Sequence, residues 1–264
     1  MTLTIATWNV NSIKARLPNV LEWLGDAKPD IACLQEIKCQ DEGFPREEIE
    51  RLGYNIETVG QKSYNGVALL SRFPVEEVAE RALPGGNGEE EQARYIEAVI
   101  SAPNGPVRVA SIYLPNGNPA PGPKYDYKLE WMARLHAHAA KLLSYEEPLV
   151  LAGDYNVIPR DADVHDPAAW EGDALTLPAS RDAFFALQWL GFTEAFQHLD
   201  GRAHQYTFWD YQAGAWQKNN GIRIDHLLCS PQAADRLKSI EIHKDVRGKE
   251  KASDHVPVVG TFDL

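Results

Sequence analysis

Four apolar runs that end in polar side chains constrain the fold of this chain more than any other feature. The clearest is PLVLAGDYN at 148–156, where five apolar residues and a glycine lead into Asp154 and Asn156. A strand buried on both faces has this composition. The other three lead from 4–8 into Asn9 and Asn11, from 30–34 into Gln35 and Glu36, and from 107–112 into Tyr113. Because loops at the carboxyl ends of such strands carry binding residues, the runs predict one polar site.

The rest of the chain predicts many short strands and fewer helices. Helical spacing of apolar residues from Leu17 to Leu24 predicts a helix with Ser12 as its N-cap. Further helices are predicted at 45–52, 124–144, 183–190 and 232–237, and strands at 54–59, 67–70, 94–101, 106–113, 223–228, 239–243 and 256–262. Acidic loops are predicted at 85–91 and from 157 to about 178. This content favours an α/β fold with two packed sheets and helices outside.

Length and composition bound the class of protein. With 264 residues, 44% of them hydrophobic, the chain can bury a large core as one domain or two small ones, and the absence of a linker favours one domain over 1–264. No run is long enough to span a bilayer, and residues 1–20 lack the pattern of a signal peptide, so a cytoplasmic location is expected. Cys33, Cys39 and Cys229 lack zinc-site spacing and are expected to be reduced structural thiols.

The net charge of −12 argues, by itself, against binding to nucleic acid. Net charge says little about one face of a protein, however, and a divalent metal would add positive charge. Basic residues lie in or beside the polar loops, and they are either a local basic rim or scattered surface charge: Lys14, Arg16, Lys62, Lys124, Lys218, Arg223, Arg247, Lys249 and Lys251.

Two Asp–His pairs in the second half add to the polar set. Asp225 lies at a predicted strand start, and Asp254 and His255 immediately precede the last strand. Alone, such a pair is more typical of a turn or a helix cap. The complete set of candidates is Asn9, Glu36, Tyr113, Asp154, Asn156, Asp225, Asp254 and His255.

These residue types favour one kind of chemistry. The sequence has no phosphate-binding glycine loop, no serine-hydrolase elbow and no common zinc motif. Carboxylates and amides suit Mg²⁺ or Mn²⁺, which keep places for phosphate oxygens. An Asp beside an amide can orient and deprotonate water, while a protonated His held by a second carboxylate can stabilise charge on phosphoryl oxygens. The set therefore predicts metal-assisted phosphodiester hydrolysis.

Six short motifs extend this prediction: TWNVN at 7–11, LQEIK at 34–38, YLPNG at 113–117, GDYN at 153–156, RID at 223–225 and SDH at 253–255. Their composition and order resemble the exonuclease III family of apurinic/apyrimidinic endonucleases, within the endonuclease/exonuclease/phosphatase superfamily. The similarity runs from residue 3 to 262 and includes GQK at 60–62 and NGVALL at 65–70. The resemblance implies a four-layer α/β sandwich, with two mixed sheets flanked by helices.

The resemblance also implies roles for the polar set. Glu36 matches the ligand of the catalytic Mg²⁺, and Asn9 and Asp254 match residues near the metal. Tyr113 matches the active-site tyrosine of the family.

By the same resemblance, Asp154 would activate the attacking water and Asn156 would orient it. His255 with Asp225 would contact the scissile phosphate. We favour Asp154 over His255 as the base, because Asp225 would hold His255 cationic.

Substrate recognition is implied by the aromatic segment YTFWDY at 206–211, which resembles the one that family members use against an extrahelical abasic sugar. Trp209 would pack on that sugar; alternatively, the segment is aromatic core or an edge strand. Further expected substrate-binding residues are Phe208, Asn116, Lys62 and Arg223. The sequence NNG at 219–221 departs from the Asn-Arg-Gly of several relatives and removes a positive charge, which leaves the strength of the exonuclease activity open.

The sequence therefore predicts a Mg²⁺-dependent DNA-repair phosphodiesterase, with Mn²⁺ able to substitute, that cleaves 5′ to abasic sites in duplex DNA. Exonuclease (3′→5′) and 3′-phosphatase activities are also expected, from a monomer that acts on DNA and not at a membrane. The rival enzyme is a superfamily phosphoesterase for inositol phosphates or sphingomyelin. A binding protein without turnover is disfavoured because the catalytic set, Glu36, Asp154, Asn156 and His255, is intact.

Overall fold

The computed structural model describes residues 2–86 and 92–264, so residues 87–91 of the predicted acidic loop 85–91 lie outside the described part. The strands are β1 (Leu3–Asn9), β2 (Ile31–Gln35), β3 (Asn55–Val59), β4 (Val67–Ser71), β5 (Val75–Glu80), β6 (Tyr95–Ala102), β7 (Gly105–Tyr113), β8 (Leu149–Asp154), β9 (Thr193–Glu194), β10 (Asp225–Cys229), β11 (Leu237–Ile242) and β12 (Val258–Phe262). The α-helices are α1 (Leu17–Ala27), α2 (Arg46–Glu50), α3 (Pro123–Leu143), α4 (Pro178–Trp189), α5 (Ala195–Leu199), α6 (Ala215–Lys218) and α7 (Pro231–Ala234).

The strands form two mixed sheets. The order is β11-β12-β1-β2-β4-β3 in the first and β5-β6-β7-β8-β10-β9 in the second. β1 runs parallel to β2 and β7 runs parallel to β8, while the other neighbours are antiparallel. Helices flank the pair of sheets, so the predicted four-layer α/β sandwich is confirmed.

Strand β1 shows why the apolar runs are nearly continuous. Leu3 and Ile5 face the second sheet, whereas Ala6 and Trp8 belong to the core beneath α1. Side chains alternate between the faces of a strand, and both faces are covered here. The same arrangement holds for β8, where Val150 faces the first sheet and Leu151 faces α3 and α4.

The strand directions bring the predicted polar residues to one edge of the sandwich. Asn9 is paired with Gln35 at the carboxyl ends of β1 and β2, and Tyr113 is paired with Asp154 at those of β7 and β8. Asp225 begins the antiparallel strand β10 and therefore lies opposite Asp154.

Several local predictions were wrong. Helix α1 begins at Leu17 with Arg16 as N-cap, and Ser12, with φ of 86°, lies in the turn after β1 instead. Strand β5 was missed because its sequence VEEVAE has partly exposed glutamates and little alternation. The short elements β9, α5 and α6 were missed too, since two to five residues are too few for a period to be visible.

The acidic segment after Asn156 is more ordered than the predicted loop. It contains short 3₁₀ helices at Asp161–Asp163 and Pro167–Trp170 and buries apolar residues beneath it, including Ile158, Val164 and Leu175. The three cysteines are buried and unpaired, as expected. Within the described residues, no helix is both long and apolar enough to cross a membrane.

Candidate active site

A cleft of about 300 Å³ opens where the polar strand ends meet. Eight predicted site residues line it: Glu36, Tyr113, Asn116, Asp154, Asn156, Phe208, Asp254 and His255. Asn9 and Asp225 are buried directly behind this surface and contact it through Glu36, Asp154 and His255. The structure thus gathers residues that are separated by more than 200 positions in the sequence.

Asn9 joins the two sheets at the base of the cleft. Its amide nitrogen donates to Glu36 Oε1 at 2.8 Å and to Asp154 Oδ2 at 2.9 Å. Its amide oxygen accepts from the backbone N–H of Asn11 at 3.0 Å, which fixes the orientation of the amide. One buried side chain therefore holds two carboxylates side by side.

The carboxylates can serve as metal ligands. Ligand atoms of Glu36, Asp154 and His255 lie within 4.8 Å of one another. Burial works to raise the pKa of Glu36, but Lys38, 2.7 Å from Oε2, and Asn9 outweigh it and lower the pKa. Glu36 is therefore an anion at neutral pH, and an oxygen-rich donor set of this kind fits a hard divalent cation.

His255 is held between two carboxylates. Its Nδ1 lies 2.9 Å from Asp225 Oδ2, its Nε2 lies 3.8 Å from Asp154 Oδ2, and Thr207 Oγ1 donates to Asp225 at 2.6 Å. Burial alone would lower the pKa of His255, but the charges of Asp225 and Asp154 raise it to about 10. His255 therefore carries a proton at neutral pH and suits stabilisation of negative charge better than metal ligation.

Asp154 has the properties of a general base. Burial, followed by the charge of Asp225, raises its pKa to about 7, against the opposing effects of His255 and Asn9. A carboxyl with this pKa can accept a proton near neutral pH. The backbone N–H of Asn156 donates to Asp154 Oδ1 at 2.9 Å, which orients the carboxylate.

Asn156 is oriented through both ends of its amide. Its Nδ2 donates to Leu114 O at 2.8 Å and its Oδ1 accepts from Asn116 Nδ2 at 3.1 Å. Its φ of 46° is the left-handed conformation that asparagine tolerates better than most residues. The turn after β8 thus directs this side chain along the cleft.

Three further predicted residues complete the cleft. Burial, with the charges of Glu36 and Asp154, raises the pKa of Tyr113 well above its ordinary value, so its phenol stays protonated. Asp254 accepts from Asn11 Nδ2 at 3.1 Å. The Phe208 ring lies edge-on to His255, with centroids 4.9 Å apart.

Three predicted substrate-binding residues do not line the cleft, and two of them, Trp209 and Arg223, are buried inside the protein. Trp209 is fully buried against Tyr206 and Trp216. It is therefore part of the aromatic core, and the prediction that it packs on the abasic sugar was wrong. Arg223 is 2% exposed and is paired with Asp163 and Glu194, at 2.9 and 3.1 Å. These two carboxylates hold its guanidinium inside the protein, and Arg223 does not line the cleft.

The remaining predicted residue, Lys62, lies exposed in the turn between β3 and β4, outside the cleft. This turn packs beside the active-site edge, because the backbone N–H of Lys38 donates to Asn65 O at 2.9 Å.

Sequence reasoning missed Asn118, Trp170 and Asp173, which also line the cleft. Asn118 Nδ2 donates to the Asp173 carboxylate at 3.1 Å, which joins the loop after β7 to the acidic segment. The available signal was a tryptophan in a long segment that starts at the candidate site.

Two mixed sheets with a carboxylate–amide–histidine cluster at their common edge define a hydrolytic phosphoesterase of the α/β-sandwich class. The endonuclease/exonuclease/phosphatase family profile matches residues 6–255, and the chain belongs to this family. Exodeoxyribonuclease III of Haemophilus influenzae is 34% identical over 97% of this chain and 98% of that protein.

Solved structures agree with this assignment. An AP endonuclease from Archaeoglobus fulgidus superposes with a TM-score of 0.93 and 36% identity, covering 99% of this chain and 100% of that one. A variant of the 3′ phosphatase NExo from Neisseria, bound to a product DNA hairpin, superposes with a TM-score of 0.94, 37% identity and the same coverage.

Proposed function

We propose that this chain is a Mg²⁺-dependent DNA-repair phosphodiesterase that cleaves 5′ to abasic sites in duplex DNA, with 3′→5′ exonuclease and 3′-phosphatase activities. The observation that carries the proposal is the cluster in which Asn9 joins Glu36 to Asp154 while His255 lies 3.8 Å from Asp154. Relatives of known structure include an AP endonuclease and a 3′ phosphatase bound to a product DNA hairpin.

Each residue of the cluster would have a separate task. Glu36 would hold the metal, with Asp254 nearby, and Asn9 would orient the carboxylates, because its N–H groups point at both of them. When bound, the metal would neutralise phosphate charge and lower the pKa of a ligated water. Mn²⁺ would substitute, since its ligand preferences are similar.

The water would be deprotonated by Asp154 and oriented by Asn156. His255, kept cationic by Asp225, would stabilise the charge that develops on the phosphoryl oxygens. The phenol of Tyr113, which keeps its proton, would serve as a hydrogen-bond donor in the same cleft.

The substrate would be recognised by the walls of the cleft. Phe208 and Trp170, with Leu175, Ile222 and Ile224, provide an apolar surface beside the catalytic cluster. A deoxyribose that lacks its base would fit such a surface. Asn116 and Lys62 would contact the DNA backbone.

We further propose that residues 1–264 act as one catalytic domain and as a monomer on duplex DNA. The location proposed is the cytoplasm. Inositol phosphates and sphingomyelin are disfavoured because relatives at 34–37% identity carry nuclease or 3′-phosphatase names.

Three labelled substrates test the proposal: a duplex with one abasic site, a recessed 3′ end and a 3′-phosphate. Cleavage 5′ to the abasic site is expected with Mg²⁺, and it should be lost with chelator and restored by Mg²⁺ or Mn²⁺. Inositol phosphate and sphingomyelin serve as competing substrates, and faster hydrolysis of either would contradict the proposal.

The variant Glu36→Ala tests the assignment of Glu36 as a metal ligand. The substitution removes a carboxylate but no part of the core, so we expect an unchanged far-UV circular dichroism spectrum and strongly reduced cleavage. Full activity of this variant at low Mg²⁺ would refute the assignment of Glu36 as a metal ligand.

A further inference from the structure

Helix α3 carries a buried lysine that has no part in the chemistry described above. The Lys128 side chain is fully buried, and among the described residues no carboxylate lies within ion-pair distance of its ammonium. Its Nζ donates instead to the carbonyl oxygens of Asn116 at 3.0 Å, Asn156 at 2.5 Å and Ala174 at 3.2 Å. An ammonium has three N–H donors and no acceptor, so the three carbonyls use all of them.

The three carbonyls come from the three segments that wall one side of the cleft. Asn116 lies in the loop after β7, Asn156 lies in the turn after β8, and Ala174 lies in the acidic segment behind Trp170. These segments also contact one another through side chains. Asn116 Nδ2 donates to Asn156 Oδ1, and Asn118 Nδ2 donates to Asp173.

The backbone is shaped around the lysine. Gly117 has φ of +92°, and a Cβ atom built there would lie 2.7 Å from Lys128 Cδ and 3.2 Å from Ala174 Cβ. Only a residue without a side chain lets the loop after β7 lie this close to the lysine stem. The ammonium is shielded from solvent because the whole Lys128 side chain is buried.

We propose that Lys128 is a positioning residue, which holds Asn156, Asn116 and the wall at 170–175 in their mutual arrangement through three backbone carbonyls. The inference rests on the proposed function, in which Asn156 orients the attacking water. Removing the ammonium would leave three buried carbonyls without a donor, so the segments would separate to reach water. Asn156 would then lose its orientation relative to Asp154.

Hydrogen exchange tests the structural half of the proposal without any activity. Lys128→Met keeps the apolar stem and removes the donors. Lys141→Met, an exposed position in the last turn of α3, is the matched control. We expect faster amide exchange in peptides covering 113–118, 154–158 and 170–177 in Lys128→Met only, with β1 and β2 unchanged. Equal exchange in both variants, or faster exchange throughout the protein, would overturn the proposal.

A double-mutant cycle with Asn156→Ala tests the functional half. Lys128→Met should lower kcat on abasic duplex by about 10-fold or more, as misplaced catalytic groups do, with KM little changed. In the Asn156→Ala background the same substitution should change kcat much less, because its target is already absent. Losses that multiply would indicate a merely structural lysine and would overturn the proposal.

Two further controls separate the possible failures. If Lys128→Met does not fold, Lys128→Gln, whose amide still donates hydrogen bonds, replaces it and should give the same pattern with smaller changes. A wild-type protein without abasic cleavage would contradict the proposed function, while the hydrogen-exchange result would still decide whether Lys128 holds the three segments together.

Discussion

At the scale of residues, the site is a row of alternating charges. Asp225 lies against His255, and His255 lies against Asp154. The pKa of Asp154 is raised to about 7 and that of His255 to about 10, so Asp154 releases its proton first as the pH rises. This order supports Asp154 as the base and His255 as the cation that meets developing negative charge.

Asp154→Asn should lower kcat by several powers of ten while DNA binding is preserved or improved, because a negative charge near phosphate is removed. His255→Asn should lower kcat by about 10²-fold, as the loss of an oxyanion donor does. If both residues act on one transition state, as proposed, the double variant should lose much less activity than the product of the two single losses. Single-turnover cleavage of abasic duplex measures this, and strictly multiplicative losses would indicate independent steps.

The raised pKa of His255 also makes stability depend on pH. His255 has a pKa of about 10 in the folded protein, against 6.5 for the free side chain. Its protonation therefore stabilises the folded state, and this contribution is fully present below about pH 6.5. That contribution is lost as the pH rises towards 10, by at most about 1.4 kcal/mol per pH unit. Urea unfolding of wild type and His255→Asn, with chelator present, should show the wild-type advantage shrinking over this range. A constant advantage would contradict a cationic His255.

At the scale of elements, the site depends on the close approach of β7 and β8. Their parallel pairing places Tyr113 opposite Asp154, and Gly153 precedes that position. A Cβ atom at Gly153 would lie 2.1 Å from Ile112 O, so no larger residue fits without separating the strands. The glycine in the apolar run is therefore required by strand packing, and its consequence is the placement of Asp154.

Gly153→Ala should destabilise the fold by about 1–3 kcal/mol, as overpacking of a core does, and should lower cleavage through the displacement of Asp154. Gly25→Ala is the matched control, because a Cβ atom in α1 meets nothing within 4 Å. That change should stabilise by up to about 1 kcal/mol through helix propensity. The denaturant midpoints of the two variants test this prediction. Equal midpoints would show that β7 and β8 can separate without loss of stability.

At the scale of the whole molecule, the basic residues near the polar loops differ in their burial and pairing. Arg223 and Arg247 are buried and serve the fold, with Arg247 donating to Trp209 O at 3.1 Å. Lys249 forms an ion pair with Glu22. Arg16 is half-buried and donates to Tyr211 Oη at 2.8 Å. The remaining basic candidates are exposed at the surface: Lys14, Lys62, Lys124, Lys218 and Lys251.

Binding to abasic duplex should weaken with salt despite the net charge of −12, because phosphate contacts are local. Two phosphate contacts would lower the affinity by about tenfold between about 50 and 200 mM salt. Lys62→Ala should reduce the slope of log affinity against log salt by the amount expected for about one phosphate contact. Lys141→Ala, at the far end of α3, should leave the slope unchanged. A flat dependence in the wild type would mean that these lysines are only surface charge.

The sequence by itself determined the strands and the residues at their ends. A strand covered on both faces must be apolar throughout, and a polar residue can follow only where the strand leaves the core, so Asn9, Glu36 and Asp154 stand out in a local pattern. Short elements such as β9 and α6 give no such pattern, because a period needs several repeats to be visible.

Only the tertiary structure decided which side chains are covered and by what. Arg223 and Phe208 were both predicted to bind substrate. Arg223 forms ion pairs with carboxylates inside the protein, whereas Phe208 lines the cleft. Lys128 has the sequence context of a surface lysine and is the shared donor to three loops. The burial of a side chain and its hydrogen-bond and ion-pair partners are set by elements distant along the chain, so a local sequence pattern cannot predict them.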